Sequence, residues 1–308
     1  MSPRLFGAAC VALSATAFGS MAIFARYAYA GGAEVIAVLF LRFGIAALLM
    51  TAFMLVMRRR WPRGRNLVLL LAMGGVLYVG QSMSFFSALN HASAGLVALL
   101  LYLHPFIVTV LGALFLGQPL GFGRVVAVLA ALLGTALTLG GGLAGEAAGV
   151  MLGVAAALIY SVYILVGSRV LAQEDPLAAA TVVMIGAAAV FAALVLSKQP
   201  AFPASVSAWT AIFAIAVICT VVAMLGLFVG IRNLGGADAS TLSTLEPVVT
   251  IALAAFFLNE PFSLLQIVGG AIILGAVVWL TRAGARGTAQ ADVLPSTVAG
   301  STTRSSVE

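Results

Sequence analysis

Charged residues are scarce in this sequence. Of its 308 residues, 15 are Lys or Arg and 9 are Asp or Glu, so only 8% of the chain is charged. A soluble domain carries about 25%. Hydrophobic residues make up 63% of the sequence, and the mean hydropathy is +1.19. So little charge cannot cover so much apolar surface in water, which excludes a soluble enzyme, a disordered chain and a nucleic-acid-binding domain. The composition predicts a helical protein that crosses a membrane several times.

Motifs for catalysis, nucleotide hydrolysis and metal binding are also missing. The single lysine, Lys198, does not belong to a P-loop motif. The chain contains neither G-x-S-x-G nor H-E-x-x-H, and His91 and His104 stand apart from any acidic cluster. Spacing alone leaves open a hydrolase pairing of His104 with Ser82 or Ser243, which nothing else favours. The sequence therefore predicts a protein that is not an enzyme and holds no cofactor or metal.

Ten apolar runs are predicted to be transmembrane helices, because a helix needs about 20 apolar residues to cross a bilayer. Clusters of Gly, Pro and charged residues separate the runs. The predicted spans are residues 5–25, 34–57, 67–89, 93–116, 122–140, 147–170, 177–196, 206–230, 238–258 and 262–281. Residues 283–308 are rich in Ser, Thr, Ala and Gly and are predicted to form a disordered cytoplasmic tail.

The distribution of positive charge predicts the orientation. With both termini in the cytoplasm, the outer loops hold 2 of the basic residues, Arg26 and Lys198. The inner segments then hold 12, namely Arg4, Arg58, Arg59, Arg60, Arg63, Arg65, Arg124, Arg169, Arg232, Arg282, Arg286 and Arg304. Lys and Arg collect on the cytoplasmic side of membrane proteins, so both termini are predicted to be cytoplasmic. A cleaved signal peptide in place of span 1 is the alternative.

The chain repeats itself at an offset of 142 residues. At this offset Pro105 matches Pro247 and Pro119 matches Pro261, with 11 identities over the 55 positions 86–140. Spans 1–5 therefore correspond to spans 6–10. Because five is an odd number, the two halves must enter the membrane in opposite orientations, as in many secondary transporters. The predicted units are residues 1–141 and 142–282, and the same fold would also suit a channel or a scaffold.

Several stretches resemble the drug/metabolite transporter superfamily, in particular its ten-helix EamA-type branch. They are Phe40–Phe43, the segment from Phe86 to Pro119, and the segment from Leu245 to Pro261. Within this branch the chain is most similar to the YddG-type amino-acid exporters of bacterial inner membranes. The resemblance implies an exporter of the inner membrane. Two features depart from the pattern: Gln118 replaces a frequent Glu, and span 1 lacks the acidic residue of small multidrug pumps.

Spans 4 and 9 each carry a proline near the middle, preceded by an ionisable residue. The pairs are His104-Pro105 and Glu246-Pro247, and they coincide under the repeat. A proline within a helix removes a hydrogen bond, and interrupted transmembrane helices commonly line a cavity. Pro105 and Pro247 are therefore predicted to be hinges at helix breaks. Glu246 is predicted to contact a substrate ammonium group or to carry a proton; kinks used only for packing and a structural carboxyl are the alternatives.

Polar and aromatic residues on several spans predict a central substrate cavity. Span 3 has one such face at spacing i, i+3, i+4, i+7, and span 6 adds two tyrosines. The repeat adds positions on spans 4, 8 and 9. The predicted cavity residues are Tyr78, Gln81, Ser82, Phe85, Tyr102, His104, Tyr160, Tyr163, Met224, Thr244 and Glu246. Aromatic walls with one carboxyl suit a zwitterion with an apolar side chain.

Two charged residues have open interpretations. Arg42 lies within span 2, where its side chain either snorkels to the outer interface or holds a carboxylate of a substrate or of the protein. Glu260, at the turn between spans 9 and 10, is interpreted as structural, because a carboxylate accepts hydrogen bonds from N–H groups at a helix N-terminus.

The sequence predicts a secondary transporter that exports neutral or aromatic amino acids by alternating access. Its partners are a small-molecule substrate and the lipid bilayer, without nucleic acid, and a monomer is expected because ten helices suffice to enclose a site. An exporter of another solute, such as a cationic drug, is one alternative. A receptor or assembly subunit that transports nothing is another. Whether transport is coupled to protons stays open.

Overall fold

The computed structural model describes residues 2–116, 121–140, 146–171, 174–261 and 263–291. All regular elements in these segments are helical. They are α1 (Pro3–Gly19), α2 (Met21–Ala30), α3 (Val35–Val56), α4 (Gly64–Ala72), α5 (Val79–Ala88), α6 (Ala94–Leu101), α7 (His104–Leu116), α8 (Phe122–Gly140), α9 (Ala147–Leu171), α10 (Pro176–Lys198), α11 (Val206–Ala216), α12 (Ala223–Leu234), α13 (Gly236–Ser243), α14 (Leu245–Leu258) and α15 (Leu264–Ala291). The π-helical turns Met73–Tyr78 and Val217–Val222 join α4 to α5 and α11 to α12.

Helix lengths and composition identify a membrane protein. Seven helical stretches are long and apolar enough to cross a bilayer: Pro3–Ala30, Val35–Val56, Gly64–Ala88, Ala94–Phe115, Ala147–Ser168, Pro176–Lys198 and Val206–Leu234. Shorter apolar helices, Phe122–Thr138, Leu245–Leu258 and Leu264–Trp279, lie at the predicted spans 5, 9 and 10. Each predicted span therefore coincides with a helix or with two consecutive helices.

The helix contacts between the two halves of the chain stay the same when each helix is exchanged for its equivalent in the other half. Helix α3 packs on α10, α6 on α14, and α8 on α15, so equivalent helices meet across the interface. Helix α1 packs on α12, and its equivalent α9 packs on α5, the equivalent of α12. This reciprocal pairing is what a structural repeat of two five-span units requires.

Close backbone approach at glycines holds these pairs together. A Cβ atom on Gly269 of α15 would overlap the carbonyl oxygen of Gly134 on α8. A Cβ atom on Gly74, in the first π-helical turn, would overlap the carbonyl oxygen of Val183 on α10. Small residues at such crossings allow membrane helices to approach closely, and the van der Waals packing that results is one of the forces that hold them together.

The last helix is longer than predicted. Helix α15 continues to Ala291, whereas the predicted tail begins at residue 283. Alanine favours helix strongly, and Ala283, Ala285 and Ala289 continue the run beyond the apolar span. The helix thus extends past the predicted start of the tail, and the disorder of the tail stays a prediction. The remainder of the tail, 292–308, lies outside the described residues, as do Gln118, Pro119 and the glycine-rich segment 141–145.

Candidate functional site

Helices of both halves are interrupted at positions that lie next to each other. The interruptions are at Ser20 between α1 and α2, at Tyr102 and Leu103 between α6 and α7, and at Thr244 between α13 and α14. The Thr250 hydroxyl donates to the Gly19 carbonyl at 2.9 Å, which joins the first interruption to α14. In transporters, interrupted helices at the level of the bilayer centre commonly form the substrate site.

Pro105 and Pro247 account for two of these interruptions. Pro105 is the second residue of α7, and Pro247 is the third residue of α14. In the first turn of a helix the backbone N–H groups have no partner within the helix, so a proline there removes no hydrogen bond. The structure therefore places each break just before the proline. Whether the breaks also act as hinges stays a prediction.

Glu246 and Tyr102 meet across the two halves. The Tyr102 hydroxyl lies 3.1 Å from Oε2 of Glu246 and 2.8 Å from the carbonyl oxygen of Ser243. A phenol has one hydrogen to donate, so the carboxylate and the carbonyl compete for it. Both acceptors belong to the segment around the break before α14. Tyr102 and Glu246, which lie in the corresponding spans 4 and 9 of the two halves, are thus in direct contact.

The ring of His104 is hydrogen-bonded to the backbone at the break between α6 and α7. Its Nδ1 atom lies 3.0 Å from the carbonyl oxygen of Leu101, which can only accept, so Nδ1 carries a proton. The Ser161 hydroxyl of α9 lies 2.7 Å from the Ala157 carbonyl and 3.2 Å from the His104 carbonyl, so the two oxygens share its one hydrogen and the break lies against α9. The His104 ring centroid lies 4.9 Å from that of Tyr160 and 5.8 Å from that of Tyr102. His104 therefore connects the Tyr102–Glu246 pair to the tyrosines of α9.

The aromatic contacts continue from His104 to the first π-helical turn. Tyr160 stacks on Tyr163 at a centroid distance of 6.0 Å, and Tyr163 lies 5.4 Å from Tyr78. We call this series the aromatic row; its members are Tyr102, His104, Tyr160, Tyr163 and Tyr78. Neighbouring rings touch along the whole row, so in this conformation it is packed and not open. A substrate that binds between these rings must separate some of them.

The remaining predicted cavity residues have other surroundings. The Ser82 hydroxyl donates to Oε1 of Gln81 at 3.2 Å, and the ring of Phe85 contacts that of Phe86. No hydrogen bond or ring contact among the described residues joins Gln81, Ser82 or Phe85 to the aromatic row. Met224 packs against the hydrophobic core, and Thr244 is the N-cap residue of α14, two positions before Glu246.

A cavity of about 210 Å³ lies elsewhere, between α6, α8, α14 and α15. Its walls are mostly aliphatic, and Thr138 and Gln266 are the polar side chains among its lining residues. This lining offers no charge to a polar substrate. In the described part of the chain, no three His, Cys, Asp or Glu side chains are arranged to hold a metal ion.

Arg42 is buried, and the snorkelling interpretation is wrong. The residue is 4% exposed, and its Nε donates to the Thr220 hydroxyl at 3.1 Å. Its guanidinium carbon lies 4.8 Å from the centroid of Phe43 and 5.3 Å from that of Phe86. The side chain points into the bundle because Thr220, in the second π-helical turn, offers it an acceptor there. The sequence signal for this site is a single arginine in a long apolar run.

Glu260 closes one end of the bundle between the two halves. Its carboxylate accepts hydrogen bonds from the backbone N–H groups of Ala94 at 3.0 Å and Gly95 at 3.5 Å, which belong to the first turn of α6. Nη2 of Arg26 lies 3.7 Å from Oε1 of the same carboxylate, whose side chain is 9% exposed. The structural interpretation of Glu260 therefore holds, and the helix that it caps belongs to the first half.

The fold and the site define a membrane transporter: paired helical halves whose interrupted helices meet at a cluster of polar side chains. The family model for the EamA-like transporter family matches residues 5–140 and again 147–282. The chain belongs to this family and thus to the drug/metabolite transporter superfamily. The two matched segments begin at 5 and 147, which is the offset of 142 residues at which the sequence repeats.

Similar proteins cover nearly the whole chain. The uncharacterized transporter YcbK of Bacillus subtilis is 28% identical over 267 residues, which cover 82% of this chain and 85% of that protein. An uncharacterized transporter of Archaeoglobus fulgidus is 25% identical over 274 residues, 89% of this chain and 95% of its own. A solved crystal structure has a TM-score of 0.64 at 23% identity and covers 93% of this chain and 99% of its own, a likeness of fold alone.

Proposed function

We propose that this protein is a secondary transporter that exports neutral and aromatic amino acids across the bacterial inner membrane. The observation that carries the proposal is the contact between Glu246 and Tyr102, beside interrupted helices of both halves and at one end of the aromatic row. It provides one negative charge next to several aromatic rings. An amino acid with an apolar side chain offers an ammonium group and a hydrophobic group to match them.

The Tyr102 hydroxyl frees Glu246 for the substrate by changing its hydrogen-bond acceptor. When an ammonium group binds to Glu246, the hydroxyl hydrogen turns to the Ser243 carbonyl, which is already 2.8 Å away. The exchange leaves no buried donor or acceptor without a partner, which avoids a penalty of about 1–3 kcal/mol. The substrate side chain then lies against the rings of His104 and Tyr160, where aromatic and apolar groups pack favourably.

Transport in this proposal follows from the reciprocal pairing of the halves. Ten spans in two inverted units, residues 1–141 and 142–282, exchange their conformations and expose the site to each side of the membrane in turn. Pro105 and Pro247 serve as the hinges. Both termini face the cytoplasm, and one chain is sufficient, so the protein acts as a monomer. In this proposal the chain is a transporter of the same type as the YddG-type amino-acid exporters.

The experiment is flux into proteoliposomes of purified protein, with a panel of labelled amino acids and with the cationic dye ethidium. Saturable uptake of phenylalanine and leucine, but not of ethidium, is the expected result. Each flux is measured with and without a pH gradient, which separates a downhill carrier from a proton-coupled one. Ethidium flux without amino-acid flux would identify a cation exporter. Ligand binding without any flux would identify a receptor or an assembly subunit.

A further inference from the structure

We propose that Arg42 and Thr220 form a carboxylate subsite, so that the substrates of this transporter carry a carboxylate group. The inference rests on the proposed transport function and adds a requirement that the aromatic row and Glu246 do not impose. It concerns a residue that has only neutral neighbours in the structure.

No acidic side chain among the described residues forms an ion pair with Arg42. A guanidinium group stays protonated in proteins, and Arg42 is only 4% exposed. Its neighbours include the Thr220 hydroxyl and the rings of Phe43 and Phe86. The side chains of Cys219 and Tyr29 also lie near it, and the side chain of Tyr78 is hydrogen-bonded to it. Among the described residues, none of the four ion pairs includes Arg42. A buried charge is usually paired, because its transfer from water costs several kcal/mol.

Thr220 fixes the orientation of the guanidinium group. Its hydroxyl donates to the Ile215 carbonyl at 2.9 Å, five residues back in the π-helical turn, and therefore presents a lone pair to Nε of Arg42. Turns of this type occur frequently at functional sites. With Nε bound to Thr220, the Nη atoms provide the remaining N–H donors, one of which is used by the hydrogen bond to the Tyr78 side chain. The other Nη donors can bind the oxygens of a carboxylate.

The subsite lies at the opposite end of the aromatic row from Glu246. Phe43, which stacks against Arg42, has its ring centroid 5.5 Å from that of Tyr78, the last member of the row. The Ser20 hydroxyl lies 3.4 Å from the Cys219 thiol, next to Thr220, so the break between α1 and α2 reaches the same place. The cation and the acid are thus both connected to the aromatic row, at different members of it.

One guanidinium among aromatic rings matches a single negative charge. A phosphate ester carries nearly two charges and is usually held by several cationic groups. Arg26, in α2, is already bound to Glu260 and to the Leu89 carbonyl. The ligand class that fits Arg42 is therefore a monocarboxylate, and the carboxylate of an amino acid belongs to it.

The test measures the thermal unfolding temperature of the purified full chain in detergent with three ligands. L-Phenylalanine has both charged groups, 3-phenylpropionate has only the carboxylate, and phenethylamine has only the ammonium group. In the wild type the two carboxylates raise the unfolding temperature. In Arg42→Gln the affinity for 3-phenylpropionate falls by about 10- to 100-fold, and in Arg42→Lys it falls less. The control Arg4→Gln changes an arginine whose side chain is 78% exposed, and it keeps the wild-type response.

Separate outcomes decide the inference and the proposed function. Equal affinity for 3-phenylpropionate in the wild type and Arg42→Gln overturns the carboxylate subsite, even if the wild type transports phenylalanine. An Arg42-dependent response without any amino-acid flux supports the subsite and overturns the proposed function. If Arg42→Gln does not fold, Thr220→Val and Arg42→Lys replace it: weaker binding of 3-phenylpropionate in both supports the subsite, and unchanged binding overturns it.

Discussion

The hydroxyl of Tyr102 lies 3.1 Å from a carboxylate oxygen of Glu246. The two residues end up in contact although 144 positions separate them in the chain. Tyr102 belongs to the break between α6 and α7, and Glu246 to the first turn of α14, so the hydrogen bond joins the two halves where their helices are interrupted. We expect a relative movement of the halves to change this contact, and we propose that the contact couples substrate binding to the transport cycle.

Replacing Tyr102 with phenylalanine tests this contact. Tyr102→Phe keeps the ring and removes the hydroxyl, which leaves both Glu246 and the Ser243 carbonyl without their donor. We expect the free energy of unfolding to fall by about 1–3 kcal/mol and the transport rate to fall as well. Measurements of thermal unfolding and of phenylalanine flux check both effects. Tyr27→Phe is the control, because Tyr27 is 41% exposed and its hydroxyl has one contact at 3.4 Å. Wild-type stability and flux in Tyr102→Phe would show that the contact between Tyr102 and Glu246 is dispensable.

Glu260→Gln tests the contact that Glu260 makes between the halves with Arg26 and the first turn of α6. The amide keeps the shape of the side chain but loses the charge that attracts Arg26 and the first turn of α6. We expect a loss of stability of about 1–3 kcal/mol, because the carboxylate is largely buried and accepts two backbone hydrogen bonds. Thermal unfolding in detergent measures the loss.

Glu146→Gln is the matched control for Glu260→Gln. Glu146 is 73% exposed at its side chain and pairs with His91 at 2.9 Å. An exposed pair of this kind contributes about 0–1 kcal/mol, so the control should unfold close to the wild-type temperature. Equal stability of the two variants would mean that Glu260 does not hold the halves together.

Gly74→Ala tests the packing of the first π-helical turn. The added methyl group would overlap the Val183 carbonyl, which is backbone and cannot rotate away. We expect this variant to yield little folded protein or to unfold at a markedly lower temperature, whereas Gly44→Ala, which has nothing within 4 Å of the new atom, should behave as the wild type. Size-exclusion chromatography and thermal unfolding distinguish these results. Normal folding of Gly74→Ala would contradict the close approach of this turn to α10.

The sequence predicted the helices and only part of their interruptions. Apolar runs located the helical stretches, except that α15 continues to Ala291, well beyond the predicted end at 281. Pro105 and Pro247 indicated two breaks because proline restricts the backbone directly. The break at Ser20 and the two π-helical turns have no such residue. They depend on tertiary contacts, such as those of Thr220 and Gly74, which a single sequence does not reveal.

The sequence also indicated the surroundings of Glu246 better than those of Arg42. Glu246 stood out because it precedes a proline that the repeat duplicates. Arg42 was equally conspicuous in an apolar run, but snorkelling and burial differ only in the direction of one side chain. That direction depends on Thr220, 178 positions away. Likewise, the sequence suggested that Glu260 caps a helix, but not that the helix is α6.

The most direct test of the account compares phenylalanine counterflow in proteoliposomes of the wild type, Glu246→Gln and Glu146→Gln. The account predicts saturable counterflow in the wild type and in Glu146→Gln, because Glu146 lies on the surface. It predicts a loss of at least about 10-fold in Glu246→Gln, because the amide no longer provides the charge for an ammonium group. Saturable counterflow of wild-type magnitude in folded Glu246→Gln would contradict the central claim that this carboxylate binds the substrate.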